Sequence, residues 1–478
     1  MINRKFNFLS FLLFFSIISL LFTSFPSYAI DYEKLAEERK SMEIESNSYD
    51  SWPLGPAIGA EAALLMDANT GAILYAKNIH EKLYPASITK LLTTYIALQE
   101  CELDDMITFS EKAVHSINWW EDANMGVNVG SSLTLEEVLY GVLVGSANEA
   151  AYAIAEHISG DLNSFSLLMN KTAKELGCKN SNFVTPNGIH DENHYTTAYD
   201  MGLIAKAFFS NEVLTKMSST TRFDVPVTET QTREGIILTA KSQLLPGKPY
   251  AYQSLIGTKT GYTDYARQTL VSCAEKNGLK LICVILKEEA PNQFADTIEL
   301  FNYGFDNFEA FYLNDINNQY AIENHFFTRE LDLLGSSKSI LSLNKDNYIV
   351  LPNTISFEEL TSKVDFDNKN DNSIACVNYY YKNYILGKIN VDLAVDEPFI
   401  FDFKNQKNST VDIYETNSKN TIFINVIHVL IIFILLVCMF TFIFSISSLS
   451  KNKRMAKKRK NKLRKTILHG NHWDIRKF

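Results

Sequence analysis

The chain has 478 residues, 46% apolar and 21% charged, more than a typical domain of ~100–200 residues holds and too apolar for a disordered tail. Its net charge of −10 is unevenly spread: residues 31–450 carry 31 Lys/Arg against 54 Asp/Glu, whereas residues 451–478 carry 12 against one. A main body so acidic excludes recognition of a phosphate backbone, which needs a basic face, and no nucleic-acid partner is expected.

Arg4 and Lys5 precede an uncharged Leu/Ile/Phe-rich run from Phe6 to Phe25, and Ser27-Tyr28-Ala29 follows as a small-x-small cleavage signal. This pattern predicts an export signal over 1–29, with an uncleaved anchor as the alternative, and a polar leader over 30–54. The apolar runs Ala62 to Asp67 and Ala72 to Ala76, separated by Ala68-Asn69-Thr70-Gly71, predict a hairpin. Helical spacing follows in Ile88, Leu91, Leu92, Tyr95 and Ile96, in Leu135 to Val144 and in Glu149 to Ile158, with Thr134 and Glu137 placed as a capping box. Thr269 to Ala274 and Leu279 to Leu286, joined through Asn277-Gly278, predict a second hairpin, and Phe294 to Phe301 a helix against it. Strand, helices and strands again point to an α/β (α+β) class, with an antiparallel sheet built from both ends of a domain over 55–310 and a helical insert between them.

From 311 to 405 short alternating stretches at Ser339 to Leu343, Tyr348 to Leu351, Ile374 to Tyr381 and Ile385 to Leu393 predict a small all-β domain. Polar residues 406–421 form a linker. Ile422 to Phe444 then supplies 23 mainly apolar residues, ~35 Å of helix, so a transmembrane helix is expected over 422–445. The basic tail, 446–478, belongs on the cytoplasmic side against lipid headgroups, which puts the body outside on a single C-terminal cell-membrane anchor. Five cysteines remain in the exported part, Cys101, Cys178, Cys273, Cys283 and Cys376, and buried packing accounts for them. His190 and His194 flank Asp191-Glu192-Asn193, the wrong order for a zinc-protease helix; no metal and no cofactor are expected.

Three motifs occur in order: Ser87-Ile88-Thr89-Lys90, Ser146-Ala147-Asn148 and Lys259-Thr260-Gly261. S-x-x-K also recurs at Ser448 and Ser450, so order and local structure carry the weight. Ser87 follows Pro85 and opens a helix, where unpaired N–H groups favour negative charge on oxygen, and Lys90 lies on the same helical face. A serine hydroxyl needs a base, and a lysine serves as one only where burial or a nearby cation holds part of it neutral; Lys259 is that cation. Ser146-Ala147-Asn148 breaks two helices, so Ser146 is placed to relay a proton and Asn148 to orient Lys90 and a substrate carbonyl. Lys259-Thr260-Gly261 sits on a predicted edge strand. There Gly261 admits a peptide backbone, Thr260 bonds a terminal carboxylate, and the N–H of Tyr262 joins that of Ser87 as an oxyanion hole.

Pro85-Ala86-Ser87-Ile88-Thr89-Lys90-Leu91 resembles the nucleophile segment of the low-molecular-mass penicillin-binding proteins, the serine D-alanyl-D-alanine carboxypeptidases. The resemblance extends through Leu65 to Gly71, Leu139 to Ala150, Asn182 to Gly188, Thr197 to Met201, Gly257 to Thr263 and Tyr303-Gly304-Phe305, and more loosely to Leu386-Gly387-Lys388. It implies a β-lactamase/transpeptidase-like catalytic domain that removes the terminal D-Ala of peptidoglycan stem peptides through an acyl-enzyme on Ser87, in cell-wall synthesis and remodelling. β-Lactams would acylate the same serine. It implies Ser87 as nucleophile, Lys90 as base, Ser146 as relay, Asn148 as positioning group, and Lys259 with Thr260 as the carboxylate and electrostatic site. Relatives often carry an Arg where Gln293 stands and a Gly where Arg267 stands, so Arg267 is expected to replace the carboxylate-binding cation. The alternatives are a serine β-lactamase, for which no Glu-x-x-Leu-Asn pattern is found, and a non-catalytic cell-wall-binding scaffold.

Overall fold

The computed structural model describes residues 31–312, 341–343, 347–366 and 373–393. Strands β1 (Ala62–Asp67), β2 (Ile73–Lys77), β3 (Leu255–Thr263), β4 (Arg267–Lys276) and β5 (Leu279–Glu288) form one antiparallel sheet in the order β2-β1-β5-β4-β3. The first hairpin thus closes against the last, and β3 is left as an edge. Along β1, Ala62, Leu64 and Met66 enter one core while Ala63 and Leu65 enter the other; along β5, Ile282, Val284 and Leu286 alternate with Leu281, Cys283 and Ile285. A strand covered on both faces must be apolar at every position, which is why these segments read as unbroken apolar runs.

One face is covered by the helical insert, including α2 (Lys90–Glu100), α4 (Asn148–Ser159), α5 (Leu162–Glu175) and α6 (Ala198–Phe209), the other by α7 (Asn292–Asn307) through Phe294, Leu300 and Phe301; the short α3 (Leu135–Tyr140) completes the insert. The capping box at Thr134 and Glu137 forms at the start of α3. The helix expected to run on to 144 gives way to a wider π-type turn at Gly141–Gly145. The five cysteines are free, four of them buried.

The leader is not featureless: α1 (Tyr32–Lys40), capped by Asp31, lies against the end of β5. Arg39 donates to Glu289 Oε1 at 3.1 Å and to the Lys287 carbonyl at 2.6 Å. Helical spacing is weak there, because polar contacts of Arg39, with Glu289, the Lys287 carbonyl and Lys77, hold the helix down rather than an apolar stripe.

β6 (Phe308–Tyr312) pairs with β8 (Tyr348–Pro352), and β7 (Leu341–Leu343), β9 (Thr361–Asp365), β10 (Ser373–Tyr381) and β11 (Tyr384–Leu393) form a second antiparallel sheet in the order β7-β11-β10-β9. The boundary drawn at 310 falls inside β6. β9, an edge strand with every residue exposed or half-buried, lacks the alternation that would have announced it. The Tyr348 hydroxyl donates to the buried carboxylate of Asp67 at 2.7 Å and accepts from Asn69 Nδ2 at 2.8 Å, joining the β6–β8 pair to the turn after β1.

The expected membrane-spanning helix is not found among the described residues, where no helix is long and apolar enough to cross a membrane. The longest, α7, has 16 residues, spans ~24 Å and carries Asp296 and Glu299, whereas a bilayer needs ~20 apolar residues. The export signal at 1–29, the transmembrane helix at 422–445 and the basic tail lie outside the described residues. The described residues thus give no support to a membrane-spanning part of the fold, a lipid partner or a cell-membrane location.

Candidate active site

Ser87 sits in a 3-10 turn, Ala86–Thr89, that feeds directly into α2. The turn is held from three sides. Thr269 Oγ1 on β4 donates to the Pro85 carbonyl at 2.8 Å. Thr89 Oγ1 donates to the Ala86 carbonyl and lies 2.9 Å from His194 Nε2. His194 Nδ1 accepts from the N–H groups of Val184 and Thr185, which leaves its proton on Nε2, facing Thr89; burial pushes this imidazole down to about 4, so it stays neutral. Ala86 itself has φ +50°, a left-handed conformation that only a strongly held turn sustains.

Lys90, one turn on, reaches Ser87 Oγ with Nζ at 2.8 Å, Asn148 Oδ1 at 2.7 Å and the Asn187 carbonyl at 2.7 Å. A neutral amine has two N–H donors and one lone pair. Two of the three neighbours can only accept, so a neutral Lys90 satisfies both and turns its lone pair to the serine hydroxyl. Lys90 is fully buried and held well below the ordinary lysine value, first by burial, then by the positive charges of Lys259 and Lys241.

Ser146 follows the π-type turn in a left-handed conformation, φ +60°, which interrupts the chain before α4 and leaves its hydroxyl in the cleft. Lys259 Nζ donates to Ser146 Oγ at 3.0 Å and to the Thr260 carbonyl at 2.8 Å; burial, then Lys241, lowers it to about 7. Gly261 is the point of closest approach. A Cβ there would lie 2.4 Å from Thr269 Oγ1 and 2.8 Å from the Ser87 nitrogen, so only glycine lets edge strand β3 run against the nucleophile turn. Tyr262 is half-exposed beyond it, its hydroxyl donating to Asp264 Oδ1 at 2.8 Å.

The cluster thus brings together Ser87, Lys90, Ser146, Asn148 and Lys259, with Thr260, Gly261 and Tyr262 along its edge. Arg267 is placed otherwise. Its Nε and Nη2 go to Glu289 at 3.0 and 2.7 Å, its guanidinium lies 3.8 Å from the ring centre of Tyr32 in α1, and its one hydrogen bond to the cluster among the described residues is a long one from Nη1 to the Tyr262 hydroxyl at 3.4 Å, at the cluster's outer edge. Gln293 is buried, with Nε2 on Gln268 Oε1 at 3.2 Å. Two residues near the cluster had no sequence signal tied to a role. Asn187 acts through its backbone, in the Pro-Asn-Gly turn. Lys241 lies on a loop 18 positions before Lys259, makes no ion pair among the described residues, and lines a water-sized cavity with Ser146, Lys259 and Thr260. Elsewhere, Cys101, Asp105 and His157 bring three potential metal ligands within 4.8 Å of one another, and none of them belongs to the cluster.

Glu149, beside Asn148, accepts the Met125 N–H through Oε1 at 2.5 Å, while Oε2 is buried without a partner among the described residues; burial pushes the carboxyl up to about 7. Because the folded chain keeps this proton between about 4.5 and 7, the associated stability is full below 4.5 and lost as pH rises through 7. Glu149→Gln keeps the acceptor and drops the charge. Its stability advantage over the wild type is expected to grow between pH 5 and 8 to about 2–3 kcal/mol. Melting temperatures across that range check this; a pH-independent difference would contradict it.

A family profile described as D-alanyl-D-alanine carboxypeptidase matches residues 50–290. The chain is 33% identical over 262 residues to the D-alanyl-D-alanine carboxypeptidase DacF of Bacillus subtilis, an alignment covering 52% of this chain and 63% of that protein, so it spans just under two thirds of that relative. It is 30% identical over 306 residues to DacA of Haemophilus influenzae, a D-alanyl-D-alanine carboxypeptidase, covering 62% and 73% respectively. Among solved structures, penicillin binding protein 5 from Haemophilus influenzae superposes with a TM-score of 0.56 at 28% identity, over 71% of this chain and 98% of that one.

Proposed function

The chain belongs to the D-alanyl-D-alanine carboxypeptidase family, and on that footing we propose that it hydrolyses the terminal D-Ala-D-Ala bond of peptidoglycan stem peptides through a serine acyl-enzyme. The observation that carries the reading is the 2.8 Å contact between a buried, proton-poor Lys90 and Ser87 Oγ. Lys90 takes the hydroxyl proton as Ser87 Oγ attacks the carbonyl of the penultimate D-Ala, and the oxyanion that forms lies against the N–H groups of Ser87 and Tyr262. Lys90 hands that proton to Ser146, which, held by Lys259, passes its own to the departing amine, so free D-Ala leaves and Lys90 is neutral again. Water, deprotonated by Lys90, then attacks the ester, and the same proton returns to Ser87 Oγ as the acyl group is released. Lys259, Thr260 and the open backbone at Gly261 hold the terminal carboxylate and the extended substrate, which adds to β3 as a further strand.

A β-lactam meets the same serine. Attack opens its ring, but the expelled amine stays tethered and obstructs the water, so the acyl-enzyme persists. The test is D-Ala release by the purified full chain from diacetyl-Lys-D-Ala-D-Ala, together with covalent labelling by a fluorescent penicillin mapped by peptide mass. Release of D-Ala with the label on Ser87 is expected; a label on another residue, or no release, would refute the assignment.

A further inference from the structure

At the end of α2 opposite the nucleophile turn, three unlike donors from three segments meet. Cys101 caps the C-terminus of α2, His157 lies in the last turn of α4, and Asp105 ends the loop between α2 and the short strand Met106–Thr108. The thiol, a carboxylate oxygen and an imidazole nitrogen all lie within 4.8 Å of one another. Cys101 and His157 are 56 positions apart, so no spacing motif marks them.

These donors are unspent. The Cys101 thiol and the His157 ring have no hydrogen-bond partner among the described residues. Asp105 Oδ2 accepts the Glu102 N–H at 2.9 Å, which fixes the carboxylate and leaves Oδ1 to ligate. The loop itself is held down, because the Leu103 and Asp105 carbonyls accept the N–H groups of Glu136 and Leu135 at 3.0 and 2.8 Å. Residues 100–105 carry Glu100, Glu102, Asp104 and Asp105 and no Lys or Arg, and the C-terminal ends of two helices add the negative poles of their dipoles. That field favours a cation. A set of sulfur, imidazole nitrogen and one oxygen selects zinc over magnesium or calcium, which take oxygen ligands.

We propose that Cys101, Asp105 and His157 form a zinc site, with water in the fourth tetrahedral position, that staples the C-terminal end of α2 to that of α4. These are the two helices whose first residues, Lys90 and Asn148, meet in the catalytic cluster. Zinc–donor bonds of about 2.0–2.3 Å put donor pairs about 3.3–3.7 Å apart, so each group moves inward by less than about 1 Å, and the exposed His157 ring has room to do so. On binding, the thiol gives its proton to solvent and the imidazole coordinates as the neutral ring, so one proton leaves for each zinc bound. The metal acts on the helices and not on the substrate, so its binding is measured without turnover.

The full chain, stripped of metal by a chelator that is then dialysed away, is titrated with Co²⁺ and, in competition with a chromophoric zinc chelator, with Zn²⁺. The wild type is expected to bind Co²⁺ with a thiolate-to-cobalt charge-transfer band, to yield it to Zn²⁺, and to melt at a higher temperature with zinc than without. Cys101→Ser loses the charge-transfer band. Cys101→Ser and His157→Gln each weaken zinc binding by about 100-fold or more and lose the zinc-dependent rise in melting temperature. Because His157 is exposed, His157→Gln keeps the metal-free melting temperature of the wild type and decides the matter even if Cys101→Ser folds poorly. No zinc bound by the wild type, cobalt bound without a thiolate band, or zinc held as tightly by His157→Gln as by the wild type overturns the site. D-Ala release and penicillin labelling of Ser87 test the carboxypeptidase reading separately, whichever result is found.

Discussion

Ser87→Ala is expected to lower D-Ala release by at least about 10⁴-fold and to abolish the covalent penicillin adduct, while the protein stays folded. The loss is large because no second hydroxyl takes over: Ser146 Oγ is engaged by Lys259 rather than by the base Lys90. The fold survives because the substitution orphans nothing. Lys90 keeps Asn148 Oδ1 and the Asn187 carbonyl, which are the two acceptors a neutral amine requires. Penicillin labelling and melting temperature, measured on the same sample, separate the outcomes. A Ser87→Ala protein that still accepts the label would place the nucleophile elsewhere.

The second large effect is on pH dependence. Lys90 works as a base only when neutral, so acylation rises with pH through its lowered pKa; Lys259 works as a cation only when protonated, so acylation falls as pH passes about 7 in the free enzyme. Lys259→Arg keeps the charge in a group that does not deprotonate in this range, and is expected to remove the falling limb. Lys259→Gln removes the charge. Without that neighbouring cation, Lys90 holds its proton more tightly, so the rising limb moves to higher pH, and the maximum drops by about 10²–10³-fold. Second-order acylation rates with a β-lactam from pH 5 to 10 measure both shifts. A rising limb that stays in place in Lys259→Gln would show that the two lysines do not act on each other.

The Arg267 expectation illustrates what reading along the chain leaves undecided. Its spacing from Gly261 put a cation near the third motif, yet its guanidinium is taken by Glu289 and stacked on Tyr32, both of which reach it only after the chain has folded back on itself. The positive charge that does act on the cluster from outside the three motifs is Lys241, in a loop without periodicity or motif. Asn187 escaped notice as a functional residue for a different reason. It contributes a backbone carbonyl, which side-chain identity does not encode.

What the amino-acid sequence determined by itself was everything set by short covalent spacing: the two hairpins, the apolar strands of a sheet covered on both faces, the capping box before α3, and the three-residue offset that puts Lys90 under Ser87. Those follow from periods of two and of about 3.6 residues, which hold wherever the segment ends up. The tertiary structure alone decided which charges meet. Lys90 and Lys259 are 169 positions apart, and each has its proton affinity lowered by burial and by cations brought in from other segments. Both influences depend on distance through space and on exclusion of water, quantities that a linear order of residues does not contain.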